Sequence, residues 1–177
     1  MNQTCPWSIV QQTAFMRLAL VEATNAMEQG DLPIGAVVVN DDTVIARGRN
    51  RRETEHFLSH AEVDAIRSMP AASVSRRRTA IFCTLEPCYL CLGAILAARI
   101  GHIFFAAPDL LSGCRQIASL GSYSRTRVLT ITAGLLARES VSLLYRHSPE
   151  RCKVLFQENF NDYRRLLADE PGIRDRQ

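Results

Sequence analysis

Two short stretches constrain this chain more than anything else in it: Ser59-His60-Ala61-Glu62 and Thr84-Leu85-Glu86-Pro87-Cys88-Tyr89-Leu90-Cys91. Together they hold one imidazole, two thiols in Cys-x-x-Cys spacing, and a carboxylate just beyond the imidazole. His60, Cys88 and Cys91 make three protein ligands for zinc. Three ligands leave the fourth tetrahedral position open, which marks a catalytic site rather than a closed structural one. Glu62 is then free to move protons for a water at that position. Pro87 disfavours helix at Glu86 and suits a helix that begins just beyond it. Cys88 and Cys91 then share one face of its first turn. Ser59 followed by Glu62 has capping-box spacing, which predicts Ser59 as the N-cap of a second helix. Two helix N-termini would point at one metal, and their partial positive charge favours thiolate over thiol.

Taken alone, Cys-x-x-Cys also fits a redox pair or half of a structural zinc site. A redox pair leaves His60 and Glu62 unexplained. A structural four-thiol site needs a second pair, and Cys5, Cys83, Cys114 and Cys152 form no further Cys-x-x-Cys. The catalytic zinc reading accounts for all four residues.

At 177 residues the chain has the length of one domain with a full hydrophobic core. Its hydrophobic share of 47% and charged share of 22% are those of a water-soluble globular protein. A net charge of +3 permits a polyanionic partner without demanding one. There is no apolar run of membrane-spanning length. Residues 1–8 lack the charged-then-apolar layout of a signal peptide. Six cysteines then fit a reducing compartment, and the cytoplasm is the expected location.

Apolar positions at three- and four-residue steps predict an amphipathic helix over 9–29, stopped by Gly30 and Pro33. A continuous apolar run over 34–39 reads as a buried strand, and 43–48 as its hairpin partner. A polar, basic loop over 49–58 leads to a site helix over 61–69. The connector over 71–78 ends in Arg76-Arg77-Arg78, read as a solvated edge. A third strand over 79–83 carries Cys83 as core packing. A second site helix over 88–98 packs through Leu90, Leu92, Ile95 and Leu96. A fourth strand over 103–106, a loop over 108–124, a fifth strand over 127–131 and a helix over 135–145 follow. After Pro149 comes a last helix over 150–168, whose stripe is Leu155, Phe156, Phe160, Tyr163, Leu166 and Leu167. Such alternation predicts an α/β layered domain with helices on both faces of a mixed sheet. Residues 1–148 form that domain, and residues 149–177 a helical extension packed on it.

The paired motifs match the H-x-E…P-C-x-x-C signature of zinc nucleobase deaminases. On that signature the chain is identified as a member of the cytidine deaminase superfamily, and it most resembles the bacterial tRNA-specific adenosine deaminase branch. The likeness extends through Leu32-Pro33-Ile34-Gly35-Ala36-Val37, Gly48-Arg49-Asn50, Gly93-Ala94, Ala98-Arg99-Ile100, Phe105-Ala106-Ala107-Pro108-Asp109 and Ile131-Thr132-Ala133-Gly134-Leu135-Leu136. It implies a three-layer α/β/α fold with a five-stranded mixed sheet, and a homodimer with active sites near the subunit interface. It also implies a base pocket formed with Asn50, Ala61 and Asp109. Asn50 alone would also read as a turn residue. The chain departs from the branch in three places. His56-Phe57-Leu58-Ser59 replaces the usual Asp-Pro-Thr-Ala, the loop after Asp109 lacks a basic residue over 110–114, and the tail is longer. All three bear on what enters the site and leave its chemistry alone.

The expected reaction is hydrolytic deamination, with zinc acidifying a water and Glu62 carrying its proton to the ring and then to the departing amine. Glu86 reads as a hydrogen-bond acceptor that holds the corner. Three functions are open at this level: editing of adenosine to inosine at the tRNA wobble position, deamination of a free base or nucleoside, or a non-catalytic zinc scaffold. The basic residues Arg47, Arg49, Arg51, Arg52 and Arg76 to Arg78 favour the first, the altered mouth and tail the second. The presence of Glu62 counts against the third.

Overall fold

The computed structural model describes residues 5–70, 75–115 and 122–156. Predicted features at 71–74 and 116–121, and the tail stripe beyond Phe156, lie outside these residues. Five strands form one sheet: β1 (Gly35–Asn40), β2 (Thr43–Arg49), β3 (Thr79–Leu85), β4 (His102–Ala107) and β5 (Thr130–Ala133). Their order is β2-β1-β3-β4-β5. β1 pairs antiparallel with β2 and β3, while β3, β4 and β5 run parallel, so the sheet is mixed as expected.

Alternation along the strands divides the core into two faces. Val37, Val39, Phe82 and Phe104 point to one face and meet Phe15, Met16 and Ala19 of α1 (Ile9–Glu28). Ala36, Val38, Ile81 and Phe105 point to the other, against α2 (Ala61–Arg67) and α3 (Tyr89–Ala97). Phe82 and Phe104 stack with centroids 4.4 Å apart across neighbouring strands. Cys83 is buried in β3, and burial holds its thiol well above the usual range. It is core packing, as its place in the strand predicts. The helices α4 (Ser122–Arg127), α5 (Ala137–His147) and α6 (Pro149–Phe156) complete the described chain.

Four details differ from the sequence reading. Ser59 does not cap α2: His60 is the N-cap residue and makes no side-chain cap bond. The capping box fails because the Glu62 carboxyl is buried beside the thiols, and Ser59 N donates to His56 O instead. Leu90 is 42% exposed, whereas Leu92, Ile95 and Leu96 pack inward as expected. The fifth strand begins at Thr130, because Arg127 still ends α4 and pairing with β4 starts at His102↔Thr130. Left-handed backbone at Gly134 (φ 89°) and Leu136 (φ 57°) delays α5 to Ala137. The break expected at Pro149 is present: one helix ends at His147 and Pro149 opens α6 as its first helical residue, with Ser148 Oγ accepting from Arg151 N at 3.3 Å, as a cap does.

Candidate active site

α2 and α3 lie on the same face of the sheet with their N-termini converging. Both begin with an extended residue whose side chain forgoes capping: His60 (φ −71°, ψ 153°) and Cys88 (φ −76°, ψ 179°). Those side chains turn to each other. His60 Nδ1 lies 3.6 Å from Cys88 Sγ and 3.4 Å from Cys91 Sγ, and the two sulfurs are 3.6 Å apart. A tetrahedral zinc with its usual bond lengths spaces two sulfurs by about 3.8 Å, and sulfur from nitrogen by about 3.6 Å. The three donors are arranged as such a site requires.

The charge balance asks for a cation as well. With protons alone, the Cys91 thiol hydrogen-bonds to Cys88 and lowers it to about 4. The same contact and burial push Cys91 far up. The hydrogen bond to Cys88 raises His60. Both sulfurs are thiolates together only when a positive ion lies between them. Behind them Glu62 is 4% exposed, and burial pushes its carboxyl up to about 7. A cation nearby acts in the opposite direction. The result is a carboxyl that takes and returns a proton readily.

Gly48 fixes how closely α2 approaches β2. A Cβ there would lie 2.1 Å from Ala65 N and 2.4 Å from Ala61 O. The turn at Glu86 is held by that residue's own carboxylate, which is 2% exposed. It accepts from Asp109 N (3.2 Å) and Arg115 N (2.9 Å). The Arg115 guanidinium completes the set through Nε (3.1 Å) and Nη2 (3.0 Å). Glu86 is thus the corner-holding acceptor expected of it. Its partner Arg115 carries no sequence signal, because the pairing depends on a loop folding back. Ser140 Oγ, also unforeseen, donates to Thr84 O at 2.5 Å.

A cleft of about 150 Å³ opens above the metal ligands. Measured in the same way a water takes about 10–15 Å³, so the cleft has room for a nucleobase-sized group. His60, Ala61, Glu62 and Cys88 lie at it, with Asn50, Glu86 and Asp109. Leu32, Ile34 and Leu85 supply apolar walls. Asn50 is buried at the end of β2, with its Nδ2 donating to Glu53 Oε2 at 3.2 Å. The Asp109 carboxylate accepts from Leu111 N (2.8 Å), Ser112 N (3.0 Å) and Ser112 Oγ (2.6 Å), which shapes its own loop. Every predicted site residue except Cys91 therefore borders one cavity, and Cys91 is buried behind it beside His60 and Cys88. Three further lining residues, Arg151, Val154 and Leu155, come from α6. They were not foreseen, since helical periodicity says nothing about which distant surface a helix covers.

A mixed sheet with an imidazole, two thiols and a buried carboxyl at two helix N-termini is the build of a zinc-dependent hydrolytic enzyme. The chain belongs to the cytidine and deoxycytidylate deaminase family, whose zinc-binding region model matches residues 9–107. It is 35% identical over 164 residues to a tRNA-specific adenosine deaminase of Streptococcus pyogenes serotype M3, covering 84% of this chain and 92% of the relative. A protein of the same name from Agrobacterium fabrum is 43% identical over 149 residues, covering 81% and 97%. A solved structure described as a study of A-to-I editing by tRNA:A34 deaminases at the wobble position superposes with a TM-score of 0.62. It shares 35% identity and covers 75% of this chain and 99% of that one. The chain is a zinc deaminase.

Proposed function

We propose that this enzyme converts adenosine to inosine in transfer RNA, at the wobble position. The observation that carries the reading is the near full-length likeness to tRNA-specific adenosine deaminases, together with a complete set of zinc donors and the proton carrier. Zinc held by His60, Cys88 and Cys91 would supply the Lewis acidity that makes a water nucleophilic near neutral pH. Glu62 takes a proton from the attacking water and delivers it to the ring nitrogen beside the carbon under attack. It then takes the second proton, from the hydroxyl now on the ring carbon, and passes it to the departing amine, so ammonia leaves and the carbonyl of inosine remains. The buried Asn50 amide, the Ala61 backbone at the head of α2, and Asp109 orient the base and its ribose. Apolar walls from Leu32, Ile34 and Leu85 exclude bulk water around the ring.

The enzyme works as a homodimer in the cytoplasm. Supporting the dimer, α3 turns Tyr89 and Leu90 outward next to the metal ligands, with 45% and 42% of their surfaces exposed. Among the described residues no helix is long and apolar enough to cross a membrane. Residues 149–177 act as an extension of the same domain, supported by the packing of Cys152 and Phe156 on Leu144 and Tyr145. The test is ammonia release from the zinc-loaded protein with an anticodon stem-loop, adenosine, guanine and cytosine in parallel. Turnover of the stem-loop is expected. Turnover confined to free bases or nucleosides would overturn the reading.

A further inference from the structure

The loop after β2 is pinned by a buried carboxylate that takes no part in the reaction. Asp31, in the turn after α1, is buried, and its carboxylate accepts from Glu53 N at 2.8 Å and from Thr54 Oγ1 at 2.6 Å. Burial acts to raise the Asp31 carboxyl, but the bonds from Thr54 and Glu53 outweigh it and hold the group below its usual range. Asp31 therefore stays an acceptor near neutral pH. Leu32 and Ile34, which follow it, belong to the apolar wall of the cleft, so Asp31 joins the loop to that wall. Asn50 N donates to Ile34 O at 2.9 Å and Arg51 N to Ser59 O at 2.9 Å, which ties down both ends of the loop.

Glu53, seated in this way, is exposed but reaches one buried group. Its Oε2 accepts from Nδ2 of Asn50 at 3.2 Å, and Asn50 is buried and lines the cleft. A carboxamide turns about its last torsion between two arrangements, which exchange its donor for its acceptor. A carboxylate only accepts, so Glu53 holds Nδ2 on its own side and settles that choice. A base in the cleft then meets one fixed order of donor and acceptor. In a buried site a polar group facing the wrong partner costs more than a missing contact, so a fixed amide selects as well as binds.

We propose that Glu53 is a positioning residue for base recognition: seated by Asp31, it locks the Asn50 amide in the one orientation that reads the nucleobase. The proposal rests on the reading of Asn50 as a base contact and deepens it, since Glu53 acts through that amide.

The test uses the full-length, zinc-loaded protein and the variants Glu53→Ala, Glu53→Gln, Asn50→Ala and the double variant Asn50→Ala with Glu53→Ala. Zinc content and denaturation midpoint are measured on each. Steady-state ammonia release is followed with an anticodon stem-loop and with free adenosine, guanine and cytosine. Glu53→Ala is expected to retain zinc and its midpoint while kcat/KM falls about tenfold, mostly through KM, the size of one lost contact to a charged group. Glu53→Gln keeps an acceptor oxygen and should recover most of that loss. Removing Glu53 should cost nothing further once the Asn50 amide is gone, so the double variant should match Asn50→Ala. A merely structural Glu53 would instead lower the midpoint and add its loss to that of Asn50→Ala, and that result overturns the proposal. So does Glu53→Gln as impaired as Glu53→Ala, or Glu53→Ala equal to wild type beside an impaired Asn50→Ala. Wild-type kcat/KM in Asn50→Ala would remove Asn50 from the base pocket, and the proposal with it. An enzyme inert on the stem-loop would overturn the tRNA reading alone, and the same variants on the free substrate it deaminates still decide on Glu53.

Discussion

At the scale of single residues, the site separates holding a metal from moving protons. Glu62 lies beside the zinc donors without completing their triad. Glu62→Gln is therefore expected to retain zinc and fold while kcat falls about 100- to 10,000-fold, the range of a lost general acid–base. Metal analysis and ammonia release on one sample check both halves, and near-normal turnover would remove Glu62 as the proton carrier. His60→Ala is expected to lose zinc and activity together, because two thiolates then lack their third partner. Full metal occupancy in that variant would take His60 out of the ligand set. Arg115 is a different case, since its hydrogen bonds go to Glu86 and not to any of the three metal ligands. Arg115→Ala leaves the buried Glu86 carboxylate, among the described residues, with its two backbone donors. Stability should drop by about 1–3 kcal/mol, the cost of stranding part of a buried acceptor, measured by denaturant unfolding.

At the scale of elements, geometry is set by how close helices come to the sheet. α2 carries His60 at its head, so anything that lifts α2 moves a ligand. Gly48→Ala puts a methyl where Ala65 N and Ala61 O already stand. Overpacking of this kind costs about 1–3 kcal/mol, and here it should also weaken zinc binding. The expected result is a lower denaturation midpoint together with faster zinc loss to a chelator. A variant destabilised but equal to wild type in zinc retention would show that α2 can shift without carrying His60 away. The alternation of β1, with Val37 and Val39 on one face and Ala36 and Val38 on the other, made both helical layers foreseeable. The offset of the fifth strand was not, because a parallel partner sets register through hydrogen bonds that leave no local pattern.

At the scale of the molecule, the outward side of α3 exposes apolar surface beside the metal ligands. Tyr89 and Leu90 stand exposed immediately beside Cys88 and Cys91. A second copy covering this face would bury them and place each active site near a seam. Leu90→Asp is expected to shift the sedimentation mass from that of a pair toward that of the 19.8 kDa chain. A wild-type protein that sediments as the single chain would remove the homodimer from the account.

What the sequence determined by itself was chemistry carried at short range. His60, Glu62, Cys88 and Cys91 are read from spacing alone, because one helical turn sets which neighbours share a face. The layered α/β architecture follows likewise from period-two and period-3.6 patterns. Only the tertiary structure decided what meets across the chain: Arg115 under Glu86, Leu90 facing out, and α6 bringing Arg151, Val154 and Leu155 to the cleft. Those outcomes depend on how distant surfaces pack, and a helix's apolar stripe records that it is covered without recording by what.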